Sequence, residues 1–153
     1  MKYWLFKTEP DAYSIDDLKR DRSTIWDGIR NYQARNSMRD DMSKGDLCVF
    51  YHSNAKPPAA VGVATIKSKD PVADPTQFDP ESQYFDPKSD PDAPRWVCRV
   101  LSFKKRFARP VPLAELREDP ALADMLLLQK GQRLSILPLT ASEFERVCEL
   151  GAG

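Results

Sequence analysis

LCVFYHSNAKPPAAVGVATI, residues 47–66, decides the architecture of this chain. Leu47 to Ser53 is dense in aromatic and β-branched side chains, the composition of a buried strand. Asn54-Ala55-Lys56-Pro57-Pro58 then interrupts any regular backbone, because proline lacks the ladder N–H and restricts the residue before it. From Ala60 to Lys67, through VGVATI, a second strand follows. Two adjacent strands joined by a tight proline-containing loop predict a hairpin, and the rest of the fold is read outward from it.

Upstream, Tyr3–Phe6 is short, aromatic and bounded by Glu9-Pro10, so it reads as an opening strand. Ser14 and Asp17 form a capping box, and Tyr13 can staple against Leu18, which predicts a helix from Ile15 to about Arg20. A short extended piece at Thr24–Trp26 precedes an Asp27-Gly28 turn. Asn31 to about Met42 then contains no Gly or Pro and spaces Tyr32, Arg35 and Met38 three or four apart, as a helix does. Downstream, residues 70–94 hold six of the thirteen prolines and five Asp-Pro steps, which excludes a long regular element. Phe78, Tyr84 and Phe85 give that stretch apolar anchors, so a structured loop is expected.

Residues 95–107 read as a long strand. Short helices are expected from Pro112 and from Asp119-Pro120 to about Leu127. QRLSIL, residues 132–137, reads as a late strand with Arg133 and Ser135 on one face. Thr140 and Glu143 make a second capping box, and Leu139 with Phe144 a second staple, ahead of a helix ending near Leu150. Five or six strands with interspersed short helices, without regular βαβ alternation, indicate an α+β protein built on a small mixed barrel. At 153 residues the chain suits one domain.

Composition narrows function by exclusion. No apolar run approaches the ~20 residues that span a bilayer, and the segment MKYWLFKTEP does not read as a signal peptide, so a cytoplasmic protein without membrane contact is expected. Cys48, Cys98 and Cys148 are too few and too scattered for a disulfide framework or a C-x-x-C metal site. His52 is the only histidine, and no G-x-G-x-x-G or P-loop occurs among six glycines. Neither metal, cofactor nor catalytic set is therefore expected. Net charge is zero, which argues against coating nucleic acid by bulk electrostatics. Its distribution is uneven, however: residues 70–92 carry seven acids against Lys88 alone, and residues 95–109 six bases and no acid.

The densest functional signal is WDGIRNYQARN, residues 26–36. Its amides and guanidinium groups are costly to bury without partners, and they suit a planar, hydrogen-bonding ligand such as a nucleobase. Trp26 offers a stacking face, while Asn31, Gln33 and Asn36 carry donor–acceptor pairs that can read base edges. Arg30 and Arg35, with Lys104, Lys105 and Arg106, are available for phosphates. The alternative is that Trp26 anchors a core and the polar residues form a solvated helix face. Further polar and aromatic groups stand at element ends: Lys7 and Glu9, Tyr51, His52 and Ser53, Trp96, and Arg133 with Ser135. Neighbouring strand ends can line one cavity mouth.

Read together, KTEPDAYS (7–14), WDGIRNYQARN (26–36), KGDLCVFYHS (44–53), SQYFDPKSDPDAPRW (82–96) and RLSILPLT (133–140) resemble the EVE domain family in order and over nearly the whole chain. The resemblance implies a PUA-like mixed β-barrel flanked by short helices and related to the YTH domain. It also implies a reader of modified bases, with modified cytosine in DNA favoured over RNA. Carried over, the pocket would be framed by Trp26, Asn31, Asn36, Tyr51, His52, Ser53 and Ser135, with Lys7 and Glu9 at its rim or floor. Two other readings stay open: an enzyme on modified nucleic acid with His52 as acid or base, and a module that takes free nucleosides.

Overall fold

In the computed structural model, which describes every residue from Met1 to Gly153, the chain opens with β1 (Tyr3–Thr8), α1 (Ile15–Asp21) and β2 (Ser23–Ile25). α2 (Tyr32–Asn36) continues into a π-helical turn at Ser37–Asp41. The hairpin is β3 (Leu47–His52) and β4 (Ala59–Ile66). β5 (Val72–Ala73) and β6 (Val97–Cys98) then bracket the Asp-Pro loop. β7 (Val100–Pro112), α3 (Leu113–Glu118), β8 (Ile136–Leu139) and α4 (Ala141–Gly151) complete the chain. Both capping boxes form as their sequences require, Ser14 with Asp17 and Thr140 with Glu143.

Six strands make one mixed sheet in the order β2-β7-β4-β3-β1-β8, curled into a half-barrel whose edges are β2 and β8. β1 runs parallel to β3 and the other pairs are antiparallel. Register shifts in β3–β4 and β4–β7 mark bulges, which raise local twist and help the sheet curl. β5 and β6 form a separate two-stranded ribbon.

Both faces of the sheet are covered, so its strands read as apolar runs. Side chains alternate across a strand. Trp4, Phe6, Cys48, Phe50 and Ile66 therefore enter one core with Ile15, Leu18, Trp26 and Met38, whereas Leu5, Val49, Tyr51 and Val63 enter the other with Leu116, Leu122, Phe144 and Val147. Gly62 lets layers meet closely: a Cβ there would lie 2.5 Å from the Lys105 carbonyl oxygen and 2.9 Å from Ile15 Cδ1.

Two strands differ from expectation, each for a local reason. The predicted 95–107 strand is split at Arg99, a buried residue whose guanidinium donates to the carbonyls of Met38 (2.6 Å), Met42 (2.8 Å), Ser68 (3.3 Å) and Lys69 (3.1 Å). The side chain that satisfies those carbonyls sits where the chain passes from the small ribbon to the main sheet. The late strand starts at Ile136, after a turn in which Gln132 Oε1 accepts from the Leu134 amide; Ser135 still reaches β1 through its carbonyl. The helix expected from Asp119-Pro120 resolves into two single 3-10 turns, Pro120–Leu122 and Leu126–Leu128.

Candidate nucleic-acid interface

Where β1, β2 and the Asp27-Gly28 turn converge, they leave a recess of about 420 Å³, within the range of small-ligand sites. Lys7, Thr8, Tyr13, Thr24, Trp26, Asp27, Ile29 and Tyr84 contribute to its lining. Trp26 is only 8% exposed and belongs to the core. Its indole meets Phe6 at 5.4 Å, Phe50 at 5.5 Å and Tyr13 at 6.3 Å, all near perpendicular. The expectation of an indole offering a broad stacking face is therefore corrected: the ring is mostly packed and only its margin reaches the recess. Its Nε1–H has no hydrogen-bond partner in the chain, although no buried polar side-chain atom is left sealed without one. That N–H is therefore not sealed off, and Trp26 borders the recess.

The exposed aromatic wall comes from Tyr84, in the Asp-Pro loop, 36% exposed. Its ring leans on the turn so closely that a Cβ at Gly28 would stand 2.8 Å from Tyr84 Cε2, and the positive φ of Gly28, 81°, also favours glycine. Beside it the Asp27 carboxyl is held above the usual carboxylate range by partial burial and the negative charge of Asp74. Across the recess the Lys7 ammonium makes no salt bridge, and burial lowers its pKa. Tyr13 gives only its ring, since its hydroxyl donates to Asp21 at 2.9 Å; burial, then that bond, push its pKa to about 12.

Most polar groups of the 26–36 motif are engaged elsewhere. Arg30 donates to Asp74 (3.0 Å), to Thr76 Oγ1 (3.0 Å) and to the Tyr84 carbonyl (2.6 and 3.1 Å), which ties down the Asp-Pro loop. Asn31 caps α2, accepting from the Ala34 amide at 3.0 Å. Asn36 accepts from the Arg35 guanidinium at 2.7 and 3.1 Å. Trp96 is buried, stacked on Tyr32 at 4.8 Å, with Arg30 on its ring at 5.0 Å and its indole N–H donated to Asp86 at 2.9 Å. None of these four residues lines the recess. The hydrogen-bond partners of Arg30 lie up to 54 residues away in sequence and that of Trp96 10 away, so for these two the motif shows which groups are present but not which are free.

Tyr51 and Ser53 line a second recess of about 410 Å³ at the other side of Lys7. His52 lines neither recess: its Nε2 accepts the Ile15 amide at 3.1 Å, at the first turn of α1, and burial lowers its pKa. Glu9 is exposed and accepts from the Asn54 side chain. Ser135 contributes its carbonyl to the Lys7 amide at 2.8 Å, and Arg133 is exposed and lines neither recess. Among the sequence candidates the first recess thus gathers Lys7 and Trp26. Asp27, Thr24 and Tyr84 were missed, because Asp27-Gly28 reads as a turn and Tyr84 as a loop anchor.

The basic stripe also looks different in three dimensions. Lys104 and Lys105 share a groove with Glu145 and Glu149, and Arg106 pairs with Asp16 at 3.5 Å. The neutral total charge is in this way partly a local pairing of the stripe with α1 and α4. No group of His, Cys, Asp and Glu is arranged to hold a metal ion, and no helix is long and apolar enough to cross a membrane.

With this geometry in view, comparison with known proteins is specific. The EVE domain family pattern matches residues 2–150. Thymocyte nuclear protein 1 of Homo sapiens is 40% identical over 167 residues, covering 97% of this chain and 73% of that protein. A crystal structure of protein PSPTO5229 from Pseudomonas syringae superposes with a TM-score of 0.91 at 40% identity, covering 97% of this chain and 99% of that one. Human THYN1 protein, crystallised in complex with DNA containing 5-methylcytosine, superposes with a TM-score of 0.90 at 38% identity, covering 100% of this chain and 99% of that one.

Proposed function

The chain belongs to the EVE domain family, and from that premise we propose that it is a non-catalytic DNA-binding module that takes a modified base, in the first instance 5-methylcytosine, into the recess beside Trp26. The observation that carries this reading is the composition of the recess. A partly exposed aromatic ring, an indole N–H without a partner in the chain and an unpaired carboxyl border a space large enough to hold a nucleobase.

Each group has a chemical counterpart on cytosine. The exocyclic amine donates, and carboxylates are its natural acceptors; Asp27 supplies one. The Trp26 N–H suits a ring or carbonyl acceptor on the same base. Tyr84 provides the stacking face, a contribution of about 1–3 kcal/mol, comparable to the few kcal/mol needed to flip a base. Stacking therefore only offsets flipping, and net affinity has to come from edge hydrogen bonds and phosphate contacts. A buried methyl adds only about 0.8 kcal/mol, so discrimination for methylation alone is expected to be modest, about fourfold at that energy.

Binding is favoured over catalysis by the position of His52. Its Nε2 lone pair is occupied by the Ile15 amide, which leaves the sole imidazole no free base on the recess. The test is a fluorescence-anisotropy titration of duplexes with one 5-methylcytosine or one cytosine, at fixed salt. Asp27→Ala should weaken 5-methylcytosine DNA about tenfold or more, the value of a charged hydrogen bond, without lowering the melting temperature, because folding disfavours its ionised carboxyl. Unaltered affinity would remove the Asp27 role. Equal binding of both duplexes by the wild type would remove modified-base reading, and comparable affinity for the free nucleoside would favour a small-molecule module.

A further inference from the structure

The second recess is chemically unlike the first. It is bounded by the end of β3, by α3 and by the 127–132 segment, and Lys7, Arg117 and Lys130 line it with no carboxylate among the lining residues. None of these three cations forms a salt bridge; that is true of every lysine in the chain, but it sets Arg117 apart from the seven arginines that are paired. The nearest acids stand at its margin without lining it: Glu9 accepts from Asn54, a lining residue, and Glu118 borders the adjoining groove, which shares Pro58, Leu113 and Arg117 with this hollow. In a molecule of zero net charge, three unpaired cations around one hollow are a local excess of positive potential.

Its floor points to a ligand independently of charge. Tyr51 is 3% exposed, lines the hollow, and its hydroxyl has no hydrogen-bond partner in the chain; it is nevertheless not sealed from solvent. Because that hydroxyl reaches the hollow, it is a donor available to whatever fills the space, water or a ligand. Arg117 is close enough to favour its ionised form, although burial dominates and pushes the phenol up to about 12, so it stays a donor at neutral pH. Ser53 adds another hydroxyl at the rim. Ammonium, guanidinium and hydroxyl donors facing one space, without acceptor carboxylates, suit a phosphate oxygen.

We propose that this recess binds a phosphodiester of the same DNA strand whose base enters the Trp26 recess. The link is Lys7, which borders both hollows and so joins the base site to the backbone site. The proposal rests on the modified-base reading for its account of the strand, but its readout is separate. Phosphate contacts release counterions and set the salt dependence of binding, about 0.9 in the log–log slope per contact on duplex DNA, whereas base contacts set discrimination.

The experiment titrates methylated and unmethylated duplexes from 50 to 200 mM salt, on the order of the range over which such contacts are lost, with wild type, Arg117→Gln, Lys130→Gln and the double variant. Both side chains belong to exposed residues, so thermal melts should match the wild type. Each single change is expected to weaken both duplexes by the same factor and to lower the slope by about one, with the methylation ratio unchanged. Unchanged slopes in the double variant overturn the proposal. So does a loss of slope that appears in Lys104→Gln/Lys105→Gln instead, or a fall in the methylation ratio at constant slope. An inorganic phosphate titration at matched ionic strength separates the sources: phosphate binding with no effect of the variants on DNA slopes means a site for the free anion. If wild type ignores methylation yet Arg117→Gln still lowers the slope, the base reading fails and the backbone site stands.

Discussion

Trp26 has two roles that a single substitution confounds. Its ring is packed among Phe6, Phe50 and Tyr13, while its N–H has no partner in the chain and the residue borders the recess. Truncating a buried tryptophan costs about 3–5 kcal/mol, a large part of the roughly 5–15 kcal/mol that holds a domain folded. Trp26→Ala is therefore expected to lower the denaturant midpoint sharply, and its loss of DNA binding would report unfolding as much as recognition. Trp26→Phe keeps most of the apolar contact and deletes only the donor. It should stay folded by denaturant titration and bind 5-methylcytosine DNA more weakly. A Phe variant with wild-type affinity would show that the indole is purely a core residue.

At the scale of elements, the Asp-Pro loop is a wall of the site held by one buried carboxylate. Asp74 accepts from the Gly28 amide (2.8 Å), the Thr76 amide (2.8 Å), the Thr76 hydroxyl and Arg30 (3.0 Å). It thereby fastens the loop that carries Tyr84 to the turn that carries Asp27. Burial pushes its pKa up, but the hydrogen bonds from Thr76, Gly28 and Arg30 outweigh that and leave it lowered. Asp74→Ala removes every one of these acceptors and strands the Arg30 charge. Breaking a buried ion pair from one side costs about 3–5 kcal/mol. Part of that should appear as faster amide exchange across residues 74–86 and weaker DNA binding, even where the sheet amides stay protected. Uniform exchange over sheet and loop alike would mean the loop is not a separate unit.

For the molecule as a whole, acid stability should fall in two windows. Folding lowers the pKa of His52 from 6.5, so just below pH 6.5 the unfolded chain binds the extra proton, and stability declines as pH falls toward the folded value. Asp74 behaves as a depressed carboxylate: its contribution is complete above 3.8 and is lost as pH falls through its folded pKa. Asp27, raised, opposes this, since just above 3.8 the folded state takes its proton first. The first window is isolated by subtraction. His52→Gln can still accept from Ile15, and chemical denaturation between pH 7.5 and roughly 5 should show a flatter stability profile than wild type, given the ordinary histidine range. Identical profiles would assign the slope to other groups.

How much was legible in the sequence depends on the range of the interactions involved. The capping boxes at Ser14 and Thr140, the 47–66 hairpin, the structured Asp-Pro loop and the ordered segments of the family were readable, because each rests on contacts within a few residues or on residue order itself. The free or occupied state of a polar group was not. Arg30 and Trp96 look like ligand groups until Asp74 and Asp86 take up their hydrogen bonds, whereas the partner of Asn36 is its neighbour Arg35. Asp27, Tyr84 and Arg117 look like turn, anchor and helix-surface residues until folding places them around hollows. Local backbone and patterning preferences determined the elements and their family. Only the tertiary structure decided which donors and acceptors remained unsatisfied, because satisfaction is a property of neighbours brought together across the whole chain.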